Sequence, residues 1–186
     1  LTHRRPSRPC FYVPDHPLAE RPMTTQLAPA HKQPPPPVPA LISALGHAGL
    51  VPFAGLCLLM WVVNDQALPY VALALVAYAA LIASFLGGIH WGVVWLRHAG
   101  VSELDELPAR TARQHLVWGV APTILAWPGV LMPAYAALPW LGLLLVACYL
   151  VDRKLFPAAG LDPWLTLRFR LSAVAALSFF LAAGAL

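Results

Sequence analysis

Residues 68–96 read LPYVALALVAYAALIASFLGGIHWGVVWL, 29 positions without one Asp, Glu, Lys or Arg. As a helix this run reaches about 43 Å at roughly 1.5 Å per residue, beyond the hydrocarbon thickness of about 30 Å. It is expected to cross a membrane tilted, or to extend out of it. Working outward, residues 41–63, 115–132, 135–151 and 167–186 are also apolar at spanning length, which predicts an all-α integral membrane protein with a bundle of five transmembrane helices. The basic residues order them. Arg4, Arg5, Arg8, Arg21 and Lys32 precede the first run; Arg97, Arg110 and Arg113 lie between the second and third; Arg153, Lys154, Arg168 and Arg170 lie between the fourth and fifth. All twelve therefore fall on one side, and the positive-inside rule predicts a cytoplasmic N-terminus and an outside C-terminus.

Composition agrees, at 59% hydrophobic and 11% charged, with a mean hydropathy of +0.67. A soluble domain of this length would need more polar surface. The net charge of +4 comes from residues that flank apolar runs, so the partners it implies are membrane lipids with anionic headgroups, and not nucleic acid. Cys10, Cys57 and Cys148 show no CxxC or metal spacing, and no metal or cofactor is predicted.

Residues 1–39 are rich in Pro, Arg and His and end in a four-proline run, a composition that predicts disorder and polyproline II, leaving 40–186 as the transmembrane domain. No apolar signal-peptide core precedes Leu41, so no cleavage is expected. Residue 1 is Leu, and Met23 is the expected start; residues 1–22 then go untranslated, and losing four Arg, one Asp and one Glu takes the net charge from +4 to +2. Pro52 predicts a kink in the first span, and Pro122 and Pro128 breaks in the third. Ser102 followed by Asp105 predicts a short surface helix in the loop from Arg97 to Gln114. Between the third and fourth spans a re-entrant hairpin is the alternative to two crossings.

Small residues recur every four positions at Ala80, Ser84, Gly88 and Gly92, which predicts a helix-packing seam, against another span of the chain or against a second copy. His90 lies about opposite that stripe. By the predicted topology His47, His90, His115, Asp152 and Arg168 all fall near the inner ends of their spans, as a cytoplasm-facing polar vestibule with Trp164 beside it. Ionisable groups in a bilayer need partners. Three readings stay open: a structural network; a site for a lipid headgroup, quinone or small anion anchored by Arg168 and Trp164; or histidine ligation of a metal or haem, for which no HxxxH spacing exists. Six of the seven tryptophans are placed near interfaces, as in aromatic belts. No GxSxG, HExxH, GxxxxGK[ST] or GxGxxG occurs, and Asp65 and Asp152 fall on opposite sides, so no enzyme is predicted.

Leu45-Gly46 with Gly49-Leu50-Val51-Pro52-Phe53, Tyr78 with Ser84 to Gly92, Pro122 with Trp127, Asp152-Arg153, Pro163-Trp164, Leu167-Arg168 and Leu171-Ser172 together resemble a bacterial membrane family, domain of unknown function 3429, with an animal relative, transmembrane protein 69. The resemblance covers about residues 41–186. It implies five spans and an inner-membrane or mitochondrial location, and no known activity. The family commonly carries Tyr and Thr where this chain has Leu165 and Ser172. The expectation is a bacterial inner-membrane binding or accessory protein, with a membrane-protein partner or homo-oligomer open; a small-solute carrier and a tetrapyrrole- or lipid-binding sensor-like protein are the alternatives.

Overall fold

The computed structural model describes residues 38–99 and 106–186, and no strand occurs among them. The helices are α1 (Val38–Ala48), α2 (Leu50–Met60), α3 (Leu68–His98), α4 (Ala109–Leu131), α5 (Ala134–Leu155) and α6 (Leu165–Ala183). Short 3-10 turns at Pro157–Ala159 and Asp162–Trp164 join α5 to α6. The disorder predicted for residues 1–39 and the capping pair Ser102 and Asp105 lie largely outside the described residues.

Four stretches are long and apolar enough to cross a membrane: Val38–Met60, Leu68–His98, Ala134–Leu155 and Asp162–Ala183. The third predicted span, α4, is not among them, although it is 23 residues long. Its first third carries Arg110, Arg113, Gln114 and His115, which dilute its apolarity. It also begins earlier than the apolar pattern suggests, at Ala109, directly after Pro108, whose own backbone is extended (φ −51, ψ 137). Pro122 and Pro128 do not break α4, which runs continuously through both. Neighbouring side chains serve backbone carbonyls along it: Trp91 Nε1 donates to Leu116 and Trp140 Nε1 to Leu125. Neither is a carbonyl that a proline leaves open: Pro122 and Pro128 free those of Trp118 and Ile124, four residues earlier.

The first span does change course, at Gly49. Pro52 has no N–H for the Ala48 carbonyl, so the helix pauses there and restarts as α2. The Tyr78 hydroxyl donates to the Gly49 carbonyl at 2.9 Å and ties the break to α3.

The core lies between α2, α3, α5 and α6, around Phe53, Leu75, Leu138, Leu141, Cys148 and Phe179. Phe53 meets Tyr78 and Phe179 edge-on, with centroids 4.9 and 5.5 Å apart. The outer surface is apolar as well: Leu73, Leu81, Phe85, Leu143 and Leu177 are all exposed. In water such a surface would drive association; in lipid it is the surface required.

Among the described residues the small-residue stripe packs only at its start, where Ala80 lies against the core. Ala80 and Ser84 are half-buried, while Gly88 and Gly92 are exposed, with nothing within 4 Å of a side chain built at either. The close approach lies one residue away. A Cβ at Gly87 would collide with the Gly119 carbonyl, and one at Gly119 with the Trp91 ring. Backbones that touch in lipid gain contact energy no side chain could supply there. Gly119→Ala is therefore expected to lower the thermal midpoint in detergent, at a cost of about 1–3 kcal/mol, while Gly88→Ala leaves it unchanged; equal effects at both sites would place the seam elsewhere.

A buried His–Asp–Arg chain beside an apolar cleft

Antiparallel connections bring the C-terminal halves of α3 and α5 beside the N-terminal ends of α4 and α6. The polar groups of these four segments meet there. Asp152 accepts from His90 Nε2 at 2.9 Å through Oδ1 and from Arg168 Nε at 2.6 Å through Oδ2. His90 Nδ1 and His115 Nδ1 are 2.9 Å apart. Arg168 Nη1 reaches the Ser172 hydroxyl, one helical turn on, at 3.4 Å. Phe156 closes the chain with its ring 5.5 Å from that of His90. His90, His115 and Asp152 are at most 2% exposed and Arg168 9%.

The bonding pattern assigns the hydrogens. An ionised carboxylate only accepts, so Asp152 takes an N–H from His90 Nε2. The Nδ1 of a neutral His90 is then an acceptor, and His115 Nδ1 must donate to it. That leaves Nε2 of His115 a bare lone pair, buried and without a hydrogen-bond partner among the described residues. At the other end of the chain Nη2 of Arg168 is buried and equally without one.

Arg168 also faces a cleft. A cavity of about 470 Å³ lies between α1, α3, α6 and the turn before α6, lined by Ile42, Leu45, Gly46, Phe85, Leu86, Ile89, Phe156, Leu161, Trp164, Leu167, Arg168 and Leu171. A smaller one of about 140 Å³ adjoins it, sharing Leu45, Gly46, Phe85, Leu86, Arg168 and Leu171, and runs on to Phe53 and Ser172. Among the described residues Arg168 is the one charged side chain in either lining. Leu45 and Phe85, at 64% and 68% exposed, form the mouth.

Of the six vestibule residues the sequence suggests, four join: His90, His115, Asp152 and Arg168. Trp164 stands by the cleft, half-buried. His47 does not take part; it is exposed, and its Nδ1 pairs with the Ser43 carbonyl at 2.8 Å. The four are enclosed by packing, so they make a filled polar chain and not the open vestibule anticipated. Among the described residues no group of three His, Cys, Asp or Glu side chains is placed to hold a metal ion. The sequence reading missed Phe156, Ser172 and the α1 wall of the cleft. Ser172 had a signal in hand, since it lies four residues after Arg168 and so on the same helix face.

A family model described as "Protein of unknown function (DUF3429)" matches residues 38–184. The chain belongs to this family. Both halves of the site, the polar chain and the cleft, lie inside the matched region. Two relatives named transmembrane protein 69, from Xenopus tropicalis and Mus musculus, are 41% and 35% identical to it over 95 residues, 51% of this chain. The match spans only 33% and 34% of those relatives' length. No solved structure matches the chain.

This family member holds its guanidinium in place through one carboxylate. Asp152→Ala strands a buried cation, which is expected to cost about 3–5 kcal/mol. Adding Arg168→Met removes the stranded charge, so the double variant is expected to melt above the single one; a double variant that melts lower would mean that Arg168 is not held chiefly by Asp152.

Proposed function

We propose that the chain is a non-enzymatic binding or accessory protein of a bacterial inner membrane, whose ligand enters the cleft from the lipid and is anchored by Arg168. The observation that carries this reading is the unpartnered, buried Nη2 of a residue that lines an otherwise apolar cavity. A buried N–H without an acceptor costs about 1–3 kcal/mol, a cost that a ligand oxygen would remove. The volume is within the range of small-molecule sites, roughly 300–1,000 Å³. The ligand this geometry fits has an apolar body and an oxygen-bearing head.

In this reading α4 crosses with the other four stretches, shielded by α3 and α5, which makes five crossings with the N-terminus in the cytoplasm. The one-sided basic residues support that orientation. Alkaline phosphatase fused after Leu186 is then active in the periplasm; an inactive enzyme there would reverse the orientation.

A small-solute carrier is the second reading. It is favoured by the helix break at Gly49 beside the cleft and by the two prolines inside α4, since broken helices line transport paths. Solute uptake into proteoliposomes that is lost in Pro52→Ala would establish it.

Native mass spectrometry of the protein released from mild detergent tests the binding reading. A stoichiometric lipid or other amphiphile is expected on the wild type, and its occupancy should fall at least tenfold in Arg168→Gln. Equal occupancy in the two would remove Arg168 as the anchor.

A further inference from the structure

The polar chain has two unsatisfied ends of opposite need. Arg168 Nη2 is a buried donor with no acceptor, and His115 Nε2 is buried with no hydrogen-bond partner; with His90 neutral, that nitrogen carries a lone pair and no hydrogen. Asp152, His90 and the Nδ1–Nδ1 contact connect them without a gap. One class of molecule supplies both missing halves: an acid, which brings an acceptor oxygen and a proton.

We propose that the Arg168 cleft binds a long-chain carboxylic acid, with the carboxylate on the guanidinium and its proton taken up by the His90–His115 pair. This rests on the reading of the cleft as an amphiphile site and names its ligand class.

Charge balance selects the acid over a bare anion. Arg168 and Asp152 already neutralise each other, so a carboxylate alone would leave one net negative charge in an apolar interior, which is costly. Taking up one proton restores neutrality. The O–H bond of the acid breaks and its electron pair stays on the carboxylate held at Arg168, while an N–H bond forms on the lone pair of His115 Nε2; that nitrogen is not in the cleft lining, so the proton reaches it through water and not from the bound acid directly. The pair can then relay the charge. If the Nδ1 hydrogen of His115 shifts across 2.9 Å to His90 Nδ1, the imidazolium moves next to the Asp152 carboxylate.

Few other charges reach the pair. Among the described residues it meets Asp152 from α5 and Phe156 at that helix's end; Arg168 of α6 reaches it through Asp152, and α3 and α4 contribute its own two rings. Arg153 and Lys154 are exposed, and Arg97 is engaged with the Ala159 carbonyl. The apolar lining, from Ile42 and Leu45 to Ile89 and Leu171, suits an alkyl chain.

The test is calorimetric titration of laurate, and of methyl laurate as the uncharged control, into the full chain in a sugar-headed detergent, with empty micelles subtracted. Repeating each titration in two buffers of different ionisation enthalpy reads the protons exchanged per ligand bound. Uptake of about one proton with laurate and none with the ester, with laurate Kd rising roughly tenfold per pH unit, is the expected result. Arg168→Gln should abolish laurate binding, and His115→Asn should abolish proton uptake while weaker binding persists. The wild-type comparison decides the matter even where a variant fails to fold. Laurate binding without proton uptake, on the same pH profile as the ester, would overturn the acid proposal and leave the amphiphile site standing. If neither ligand binds the wild type, and the cleft-filling Gly46→Leu behaves identically, the site itself falls.

Discussion

Asp152 holds one end of the bundle together. Its two oxygens serve two different helices, α3 through His90 and α6 through Arg168, while it rides on a third, α5. Through His90 the constraint extends to His115 on α4. In water such groups could separate and hydrate. Inside lipid there is nothing else for them to bond, so the alternative to this arrangement is several stranded polar groups at once. The carboxylate therefore selects which helices are neighbours as much as it strengthens their contact.

Arg168 links this anchor to the cleft. Nε serves Asp152 and Nη1 serves Ser172, which uses only part of the guanidinium's five N–H donors. The rest of the fork is oriented, desolvated and free to meet a ligand. A lysine could not replace it, because a single ammonium cannot bond a carboxylate in plane and still present a second fixed donor elsewhere. In the proposed site, fold stability and ligand recognition would thus use different atoms of one side chain.

Much of this was legible in the sequence, for definite reasons. Uncharged runs marked the helices, and the reversal of direction from one to the next put His90, His115, Asp152 and Arg168 at one level of the bundle before any contact was known. What such reasoning gives is height along the membrane normal. It does not give the angle around the helix axis, and the misses are of that kind. His47 is at a comparable level, but α1 buries none of its residues, so nothing in its pattern says which side faces inward. In the Gly87-Gly88 pair either glycine could have met a neighbour; the four-residue stripe favoured Gly88, and the contact uses Gly87. Prolines 122 and 128 reported lost hydrogen bonds, at the Trp118 and Ile124 carbonyls, but not a broken helix, since α4 runs on through both. The cleft was out of reach because its walls come from several segments far apart in the chain.

The contact between Gly87 and Gly119 works as a gauge block. Gly87 stands three residues before His90, and Gly119 four residues after His115, so each glycine is about one turn from its imidazole. A slip of one residue along either axis displaces a side chain by about 1.5 Å. The two Nδ1 atoms at 2.9 Å have no such allowance, because hydrogen bonding fails not far beyond 3.2 Å. Machining tolerance for the imidazole pair is thereby set by two residues that have no side chain at all.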